Sequence, residues 1–312
     1  MSNQLLRRIE FIDLPESLGI EKLKGLITQS RPIVRITDYP NTQDLHELLA
    51  LDEVRDQTIV WLNNFNKTQA FCILDPSNNL LFECADIPNY SSLFNNAVEF
   101  CNQCIKEKNN IKKNYPTLDV CCWGDDLRRI ECLKNEGFKR ELVESVFFKR
   151  PLKEVPRQIT LPPGFFIRPL AGEQEINAYV DLHQKAFGTS QMSIAFRHSI
   201  MASPEYDPQL DLVAQNSEGL LVAFCVCQIN ENENVITSER SGLNDPIGVH
   251  PDFRNLGLAK ALINDGLIRL RSRGMDYAKL GTSSDNFAMI HLANSMGFSE
   301  TSRKLWFSKE VI

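Results

Sequence analysis

Two separate segments of this 312-residue chain end in the same way, and this repetition constrains the fold more than any other feature of the sequence. Residues 129–138 and 289–298 both read as a helix that stops at a Gly-Phe pair. About ten residues after each pair come an aromatic residue and a lysine, Lys149 and Lys309. Glycine favours the left-handed position that ends a helix, and phenylalanine then begins the next strand on its core side. The sequence therefore predicts two copies of one mixed α/β unit.

The segments before the two Gly-Phe pairs also follow one order. Each half has a short first strand, helical sequence, two strands, a long amphipathic helix and a further strand. The predicted strands and long helix are 9–12, 58–62, 69–74, 92–108 and 118–123 in the first half, and 165–168, 210–214, 221–229, 256–273 and 278–282 in the second. Two unrelated α/β domains with similar turns are the alternative.

One proline-rich segment separates the halves. Four prolines with mixed charges between them occupy 151–164, which is typical of an extended connection. We therefore predict a first domain at 1–150, a linker at 151–164 and a second domain at 165–312.

The composition excludes several classes of protein. Hydrophobic residues make up 43% of the chain and charged residues 24%, which is ordinary for a soluble globular protein. The net charge of −6 differs from the strongly positive charge that is typical of nucleic-acid-binding domains, so we expect no nucleic-acid partner. The longest apolar run, 220–229, is about half the length of a membrane-spanning helix, and no secretory signal is visible. We expect a cytoplasmic protein with no membrane partner; its oligomeric state stays open.

The nine cysteines are expected to be reduced core thiols. Two are adjacent in the apolar run 118–123, and two alternate in 221–229, as small hydrophobic residues would. Cys101 and Cys104 have a metal-like spacing, but they fall in a helical pattern and lack a second ligand pair. No metal is expected.

A strand-turn-helix segment in the second half carries the clearest chemical signal. Residues 247–249 end a strand, and Pro251 cannot continue its ladder because proline lacks an N–H. Residues 254–259 then form a tight turn into a helix. A helix start presents unpaired N–H groups and the positive end of its dipole, which suits a pyrophosphate. Gly257 and the small Ala259 let an anion approach the backbone closely.

This segment resembles a known family. The pattern Arg254-x-x-Gly257-x-Ala259 after a strand and a proline is similar to the acyl-CoA signature of the GNAT superfamily of N-acyltransferases. Asn286, followed by Gly-Phe at the family's spacing, is similar to its next motif. The resemblance implies an α/β fold with two tandem GNAT-like domains. Each would be a mixed, mostly antiparallel sheet flanked by helices.

The resemblance also implies a function. We expect direct transfer of an acetyl group from acetyl-CoA, the co-substrate, to a primary amine on a small molecule or peptide. A non-catalytic acyl-CoA-binding sensor or regulatory protein is the alternative. A structural or partner-binding module is a third interpretation, which the intact turn disfavours.

The implied contacts to CoA lie on the strand end, the turn and the next helix. Backbone N–H groups of the turn would hold the pyrophosphate, the main chain of the strand would pair with the pantetheine arm, and an asparagine would sit near the arm's far end. These residues are Ile247, Val249, Arg254, Asn255, Leu256, Gly257, Leu258, Ala259 and Asn286. For Asn286, an ordinary helix cap is the competing interpretation.

Two carboxylates are candidates for the general base that takes the proton of the amine. Asp245, two residues before Ile247, is the first choice, and Glu239 is the second. The alternatives are a turn aspartate and a solvated glutamate.

The usual proton donor of the family is missing. A tyrosine often stands four residues before the glycine of the Gly-Phe pair, where this chain has Ala293. We expect that position to face the site and His291 to point away from it. The general acid is therefore not identified.

The first half lacks the features that would hold CoA. Its counterpart of the turn, 86–94, has no arginine and no glycine, and its bulky side chains would crowd an anion. We interpret this half as a degenerate copy that has lost CoA binding.

Overall fold

The computed structural model describes residues 6–109, 116–154 and 159–311. The chain forms two compact units. Unit 1 comprises Met1–Glu144 and Arg303–Ile312, and unit 2 comprises Ser145–Ser302. Within the described ranges, no helix combines the length and apolar content needed to cross a bilayer.

Unit 1 is built on an antiparallel sheet of four strands in the order β1-β2-β3-β4. A fifth strand, β5, pairs antiparallel with the end of β12. The strands are β1 (Arg7–Glu10), β2 (Thr58–Leu62), β3 (Thr68–Leu74), β4 (Leu80–Cys84), β5 (Thr117–Trp123) and the Lys304–Glu310 part of β12 (Ser299–Glu310). The helices are α1 (Glu16–Ser30), α2 (Thr42–Leu49), α3 (Asp52–Asp56), α4 (Tyr90–Asn109) and α5 (Leu127–Asn135).

The core of unit 1 lies between the strands and α4. All residues of β2 and β3 are buried. The apolar face of α4 repeats at helical spacing and packs on them through Phe94, Val98, Cys101 and Ile105. All nine cysteines lie in the described part of the chain, and the structure shows them as thiols, as predicted. Six are buried, whereas Cys84, Cys104 and Cys121 are partly exposed and do not fit the predicted core position.

Unit 2 contains a sheet in the order β6-β11-β10-β9-β8-β7, antiparallel except for the β10–β11 pair. The strands are β6 (Lys139–Pro151), β7 (Phe165–Pro169), β8 (Asp211–Asn216), β9 (Leu221–Gln228), β10 (Ser241–Val249) and β11 (Tyr277–Ser283). The helices are α6 (Ile176–Phe187), α7 (Ile194–Met201), α8 (Glu231–Thr237), α9 (Leu258–Ser272) and α10 (Phe287–Ser295).

Alternate residues of the central strands of unit 2 serve two separate cores. Cys225 and its same-face neighbours pack in the cluster that contains the apolar residues of α9. Phe224 and Val226 pack instead against α6 through Tyr179 and Leu182. The strands are buried on both faces, and this explains why residues 221–227 read as an uninterrupted apolar run.

The two Gly-Phe endings confirm the predicted internal repeat. Gly137 and Gly297 have φ angles of +82° and +80°, in the left-handed region that favours glycine. In each case the phenylalanine N–H donates to the carbonyl five residues earlier, Phe138 to Leu133 and Phe298 to Ala293, both at 3.0 Å. The two helices therefore end in the same hydrogen-bonded motif.

The compact units differ from the predicted domain limits at the last strand of each half. Residues 145–151 of β6 pair with β11 in unit 2, and residues 304–310 of β12 pair with β5 in unit 1. Each half thus contributes its final strand to the other unit's sheet, because hydrogen-bond pairing, and not chain order, decides membership. Pro151, predicted to begin the linker, is the last residue of β6, and linker residues 155–158 lie outside the described residues.

Candidate functional site

The candidate site of unit 2 lies where two parallel strands stop pairing. Residues 241–243 of β10 pair with residues 277–279 of β11. Beyond them, β10 shifts register against β9 between Asn244 and Ile247, while β11 stays paired with β6 up to Ser283. The end of β10 thus keeps its partner β9 on one edge, and no strand among the described residues pairs with its other edge beyond Leu243. Such an edge can accept an added main-chain partner. The predicted pantetheine contacts, Ile247 and Val249, lie on this edge.

Asp245 lies at the register shift and projects toward β11. Its Oδ2 accepts a hydrogen bond from the Gly281 N–H at 3.2 Å. The side chain is partly buried, and burial raises its pKa from 3.8 to about 7, although the Gly281 hydrogen bond acts in the opposite direction. The raised pKa lies near neutral pH, the range in which a general base works well.

Glu239 occupies a different environment. It lies just before β10 and forms ion pairs with Lys149 and, at 2.9 Å, with Lys279. Burial opposes its ionisation, but the hydrogen bonds from the two lysines prevail and hold its pKa below the usual 4.5. Its partner on β11 precedes Gly281 by two residues, roughly 7 Å along a strand. The two candidate carboxylates therefore differ in their contacts and in their pKa: Glu239 is paired with two lysines and its pKa is lowered, whereas the pKa of Asp245 is raised.

The turn before α9 contains two residues in the left-handed conformation. Asn255 and Gly257 have φ angles of +63° and +79°, and a Cβ built on Gly257 meets no atom within 4 Å. The first helical hydrogen bond runs from the Ala261 N–H to the Gly257 carbonyl at 3.0 Å, so the N–H groups of 258–260 precede the helical pattern. Buried Leu258 anchors the start of the helix.

Two side chains of the turn have distinct positions. Arg254 Nη2 donates to the carbonyl of Ala186 at 3.0 Å, so the guanidinium ties the turn to the end of α6. Leu256 is exposed, and the small Ala259 is partly buried in the first turn of α9. The open backbone of 254–259 is thus held at both ends.

Asn286 caps α10. Its side-chain oxygen accepts from the Met289 N–H at 3.2 Å, and Asp126 caps α5 in the same way by accepting from the Arg129 N–H. The cap employs the oxygen, so the amide nitrogen can still donate. The predicted contact of Asn286 with CoA stays a prediction.

The expectation that Ala293 faces an open site is wrong. Ala293 has no exposed surface and packs in the core of unit 2 with Met296 and Phe298. The face of α10 that carries Ala293 packs in the core of unit 2, so this side chain is buried. His291 lies on the exposed side of the helix, as predicted.

The corresponding place in unit 1 is occupied by protein side chains. β4 and β5 approach in a parallel bridge between Asn79 and Asp119, as β10 and β11 do over three residue pairs. Arg129 then donates to the Phe82 carbonyl of β4 at 2.8 Å and to the Tyr90 hydroxyl at 3.1 Å. The guanidinium thus occupies one main-chain carbonyl of β4, the strand that corresponds to β10 of unit 2.

Sequence reasoning missed Arg129, although a signal existed. The aligned position in the second half is Met289, and a charged residue in place of an apolar one marks a changed environment. Arg128 donates to the Ile87 carbonyl at 2.7 Å and lies over the Tyr90 ring.

Comparison with protein families and with known sequences gives a consistent result. The model of the acetyltransferase (GNAT) family matches residues 176–298. A mycothiol acetyltransferase of Cellulomonas flavigena is 30% identical over 147 residues, covering 45% of this chain and 42% of its own. One from Salinispora tropica is 30% identical over 159 residues, covering 49% and 51%. The chain thus spans about half the length of the curated relatives it matches.

Solved structures share the fold along nearly the whole chain. A GCN5-related N-acetyltransferase from Sphaerobacter thermophilus has a TM-score of 0.67 at 17% identity, covering 98% of this chain and 95% of its own. A tandem GNAT protein from the clavulanic acid biosynthesis pathway has a TM-score of 0.63 at 12% identity, covering 99% of both. At such identities the likeness concerns the fold alone.

Proposed function

We propose that the segment 176–298, which matches the acetyltransferase (GNAT) family model, moves an acetyl group from acetyl-CoA directly to a primary amine. One observation carries the assignment beyond the family: a carboxylate with a pKa of about 7 lies where β10 and β11 part, on the strand that leads to the anion-type turn. A binding module needs the turn but has no use for such a carboxylate.

The turn and the strand edge would hold the CoA moiety. Main-chain N–H groups of 254–259 and the dipole of α9 attract its pyrophosphate. The open edge of β10, at Ile247 and Val249, accepts the pantetheine arm as an added strand. The Asn286 amide nitrogen is the proposed donor at the far end of the arm.

Asp245 is proposed to take the proton of the amine, directly or through one water. The amine nitrogen then attacks the thioester carbonyl carbon, the C–S bond breaks, and the departing thiolate takes a proton from solvent. Glu239 is the second candidate base. Its two lysine partners keep it ionised and occupied, which disfavours it.

The acceptor is proposed to be a primary amine on a small molecule or peptide. The relatives named mycothiol acetyltransferase support a small-molecule acceptor. We further propose that the reaction takes place in the cytoplasm, where thiols such as the nine of this chain stay reduced. Neither a metal nor a nucleic acid has a part in the proposal.

An amine panel tests the proposal. Purified full-length protein is incubated with acetyl-CoA and single primary amines, and release of free CoA thiol is followed together with acetyl-CoA affinity by calorimetry. The proposal expects release that depends on one class of amine. Tight acetyl-CoA binding without turnover would identify the sensor alternative instead, and absence of binding would contradict both.

A further inference from the structure

We propose that Asn244, the residue before the proposed base, is a positioning residue that fixes the place of Asp245 relative to helix α9. It does so by joining β10 to α9 through a buried side-chain amide. This inference rests on the proposed function, since it concerns the carboxylate that takes the proton of the amine.

The side chain of Asn244 is fully buried, and both ends of its amide are hydrogen-bonded. Its Oδ1 accepts from the thiols of Cys225 and Cys227 on β9, at 2.6 Å and 3.3 Å. Its Nδ2 donates to the carbonyl of Ile263 in α9 at 3.2 Å. A buried amide loses its hydrogen bonds to water, so these contacts favour a single position of the side chain. One residue thus connects β10, β9 and α9.

The helix α9 packs tightly against this amide. Gly266 lies three residues after Ile263 and therefore on the same side of the helix. A Cβ built on Gly266 would lie 2.6 Å from Cys227 Sγ and 2.9 Å from Asn244 Oδ1, so no side chain fits there. The glycine allows α9 to approach β10 closely enough for the Ile263 carbonyl to reach the amide.

Asn244 is also the last residue of β10 that has a strand partner before the base. The pairing of β10 with β11 ends one residue earlier, and its pairing with β9 skips residues 245 and 246. Where an extra residue interrupts a ladder, the strand bends and the direction of its side chains changes locally. The direction of Asp245 therefore depends on how firmly its neighbour Asn244 is held, and the bond to α9 holds it.

The same helix begins at the turn that is proposed to hold the pyrophosphate. Ile263 is the sixth residue of α9, roughly 8 Å from the start of the helix at about 1.5 Å per residue. The bond between Asn244 and Ile263 thus fixes the segment that would hold CoA relative to the segment that carries the base. Acetyl transfer needs its groups in one geometry, and a displacement of about 1 Å can cost about 100-fold in rate.

The test compares three variants of the full chain. Asn244→Leu keeps the approximate size of the side chain and removes its bond to α9. The double variant Cys225→Ala/Cys227→Ala removes both donors to the amide oxygen and is the milder change, so it decides the question if Asn244→Leu does not fold. Asn234→Leu is the matched control, because Asn234 is also buried and its amide also bonds to β10, but at Ser241, four residues before the base.

The measured quantities are kcat with the most active amine of the panel, the acetyl-CoA affinity and the midpoint of the acidic limb of the pH–rate profile. Asn244→Leu should lower kcat about 10- to 100-fold. It should leave the affinity near the wild-type value, because Arg254 and Leu258 still anchor the turn. The midpoint should move to lower pH, because a displaced Asp245 is better hydrated and its pKa falls toward 3.8. The double cysteine variant should move kcat and the midpoint in the same directions by less, and Asn234→Leu should move neither.

A wild-type kcat and midpoint in Asn244→Leu overturn the inference while the acetyl transfer itself stands. Equal changes in Asn234→Leu also overturn it, because the amide would then act through stability alone, which thermal unfolding of both variants measures. If Asn244→Leu does not fold, a double cysteine variant with a wild-type kcat and midpoint overturns it. Absence of transfer to every amine refutes the proposed function, and the inference falls with it.

Discussion

Replacing Asp245 by asparagine should lower activity and raise stability at the same time. Asparagine keeps the shape of the side chain and an oxygen for the Gly281 N–H, but it cannot accept the proton of the amine. Removal of a general base typically costs about 100- to 10,000-fold in rate. That range corresponds to about 3–5 kcal/mol of transition-state stabilisation. We expect turnover to fall within it and acetyl-CoA affinity to change little.

The stability change follows from the pKa of the same group. A carboxyl whose pKa is raised from 3.8 to about 7 on folding favours the folded state while protonated, and that contribution is lost as the pH rises between those values. At about 1.4 kcal/mol per pH unit, the ionised side chain destabilises the folded protein by at most about 4 kcal/mol, because the group is partly exposed. Neutral asparagine removes this cost.

Thermal unfolding and the pH–rate profile measure both effects. At pH 8 the Asp245→Asn protein should melt several degrees above the wild type, and at pH 5 the difference should shrink to less than half. The wild-type kcat/KM should fall below a pH of about 7, and the variant should lack this acidic limb. A variant that melts lower at pH 8 and keeps near-normal turnover would refute the reasoning on both counts.

Three further predictions concern the charge of Glu239, the turn and the number of CoA sites. Glu239→Gln should leave the acidic limb near pH 7 in place, because the lowered pKa keeps this carboxylate ionised there; loss of that limb in this variant alone would transfer the base role to Glu239. Gly257→Glu should abolish most of the acetyl-CoA binding measured by calorimetry, because it adds a negative charge and bulk beside the proposed pyrophosphate. Gly257→Asn is the control, since any non-glycine residue is strained at this positive φ, and it should retain more affinity. Equal affinities of the two variants would contradict the proposed position of the pyrophosphate. Titration should give one CoA per chain, since Arg129 occupies a main-chain carbonyl of β4, and two sites of similar affinity would contradict the degenerate-copy interpretation.

The sequence predicted those parts of the fold that local patterns determine. The strand predicted at 58–62 has the bounds observed for β2, and the long helices were placed within two residues at each end. The alternation of apolar and polar residues in strands, the spacing of apolar residues in helices and the Gly-Phe endings each involve only a few neighbouring residues. They can therefore be recognised in a single sequence. The strand β4 and the short helix α8 were missed, because neither has a distinctive period.

Features that depend on distant partners could not be predicted. Nothing within residues 139–151 shows that β6 pairs with β11, because strand pairing is decided by tertiary structure. The raised pKa of Asp245 arises from burial, which its neighbours in sequence do not reveal. Ala293 was placed on the correct helix, but the surface that the helix buries was misjudged.

The final strand of each half pairs in the other unit, and this exchange has a consequence for folding during synthesis. A chain leaves the ribosome from its N-terminus, and domains generally fold as they emerge. Here the strand that completes the sheet around β5 is residues 304–310, which are translated after every residue of unit 2. Until then the edge of β5 is exposed, and such an edge readily pairs with another chain. Unit 2 can complete its sheet first, because β6 is synthesised before the rest of that unit. Unit 1 can complete its own pairing only after residues 304–310 have been translated.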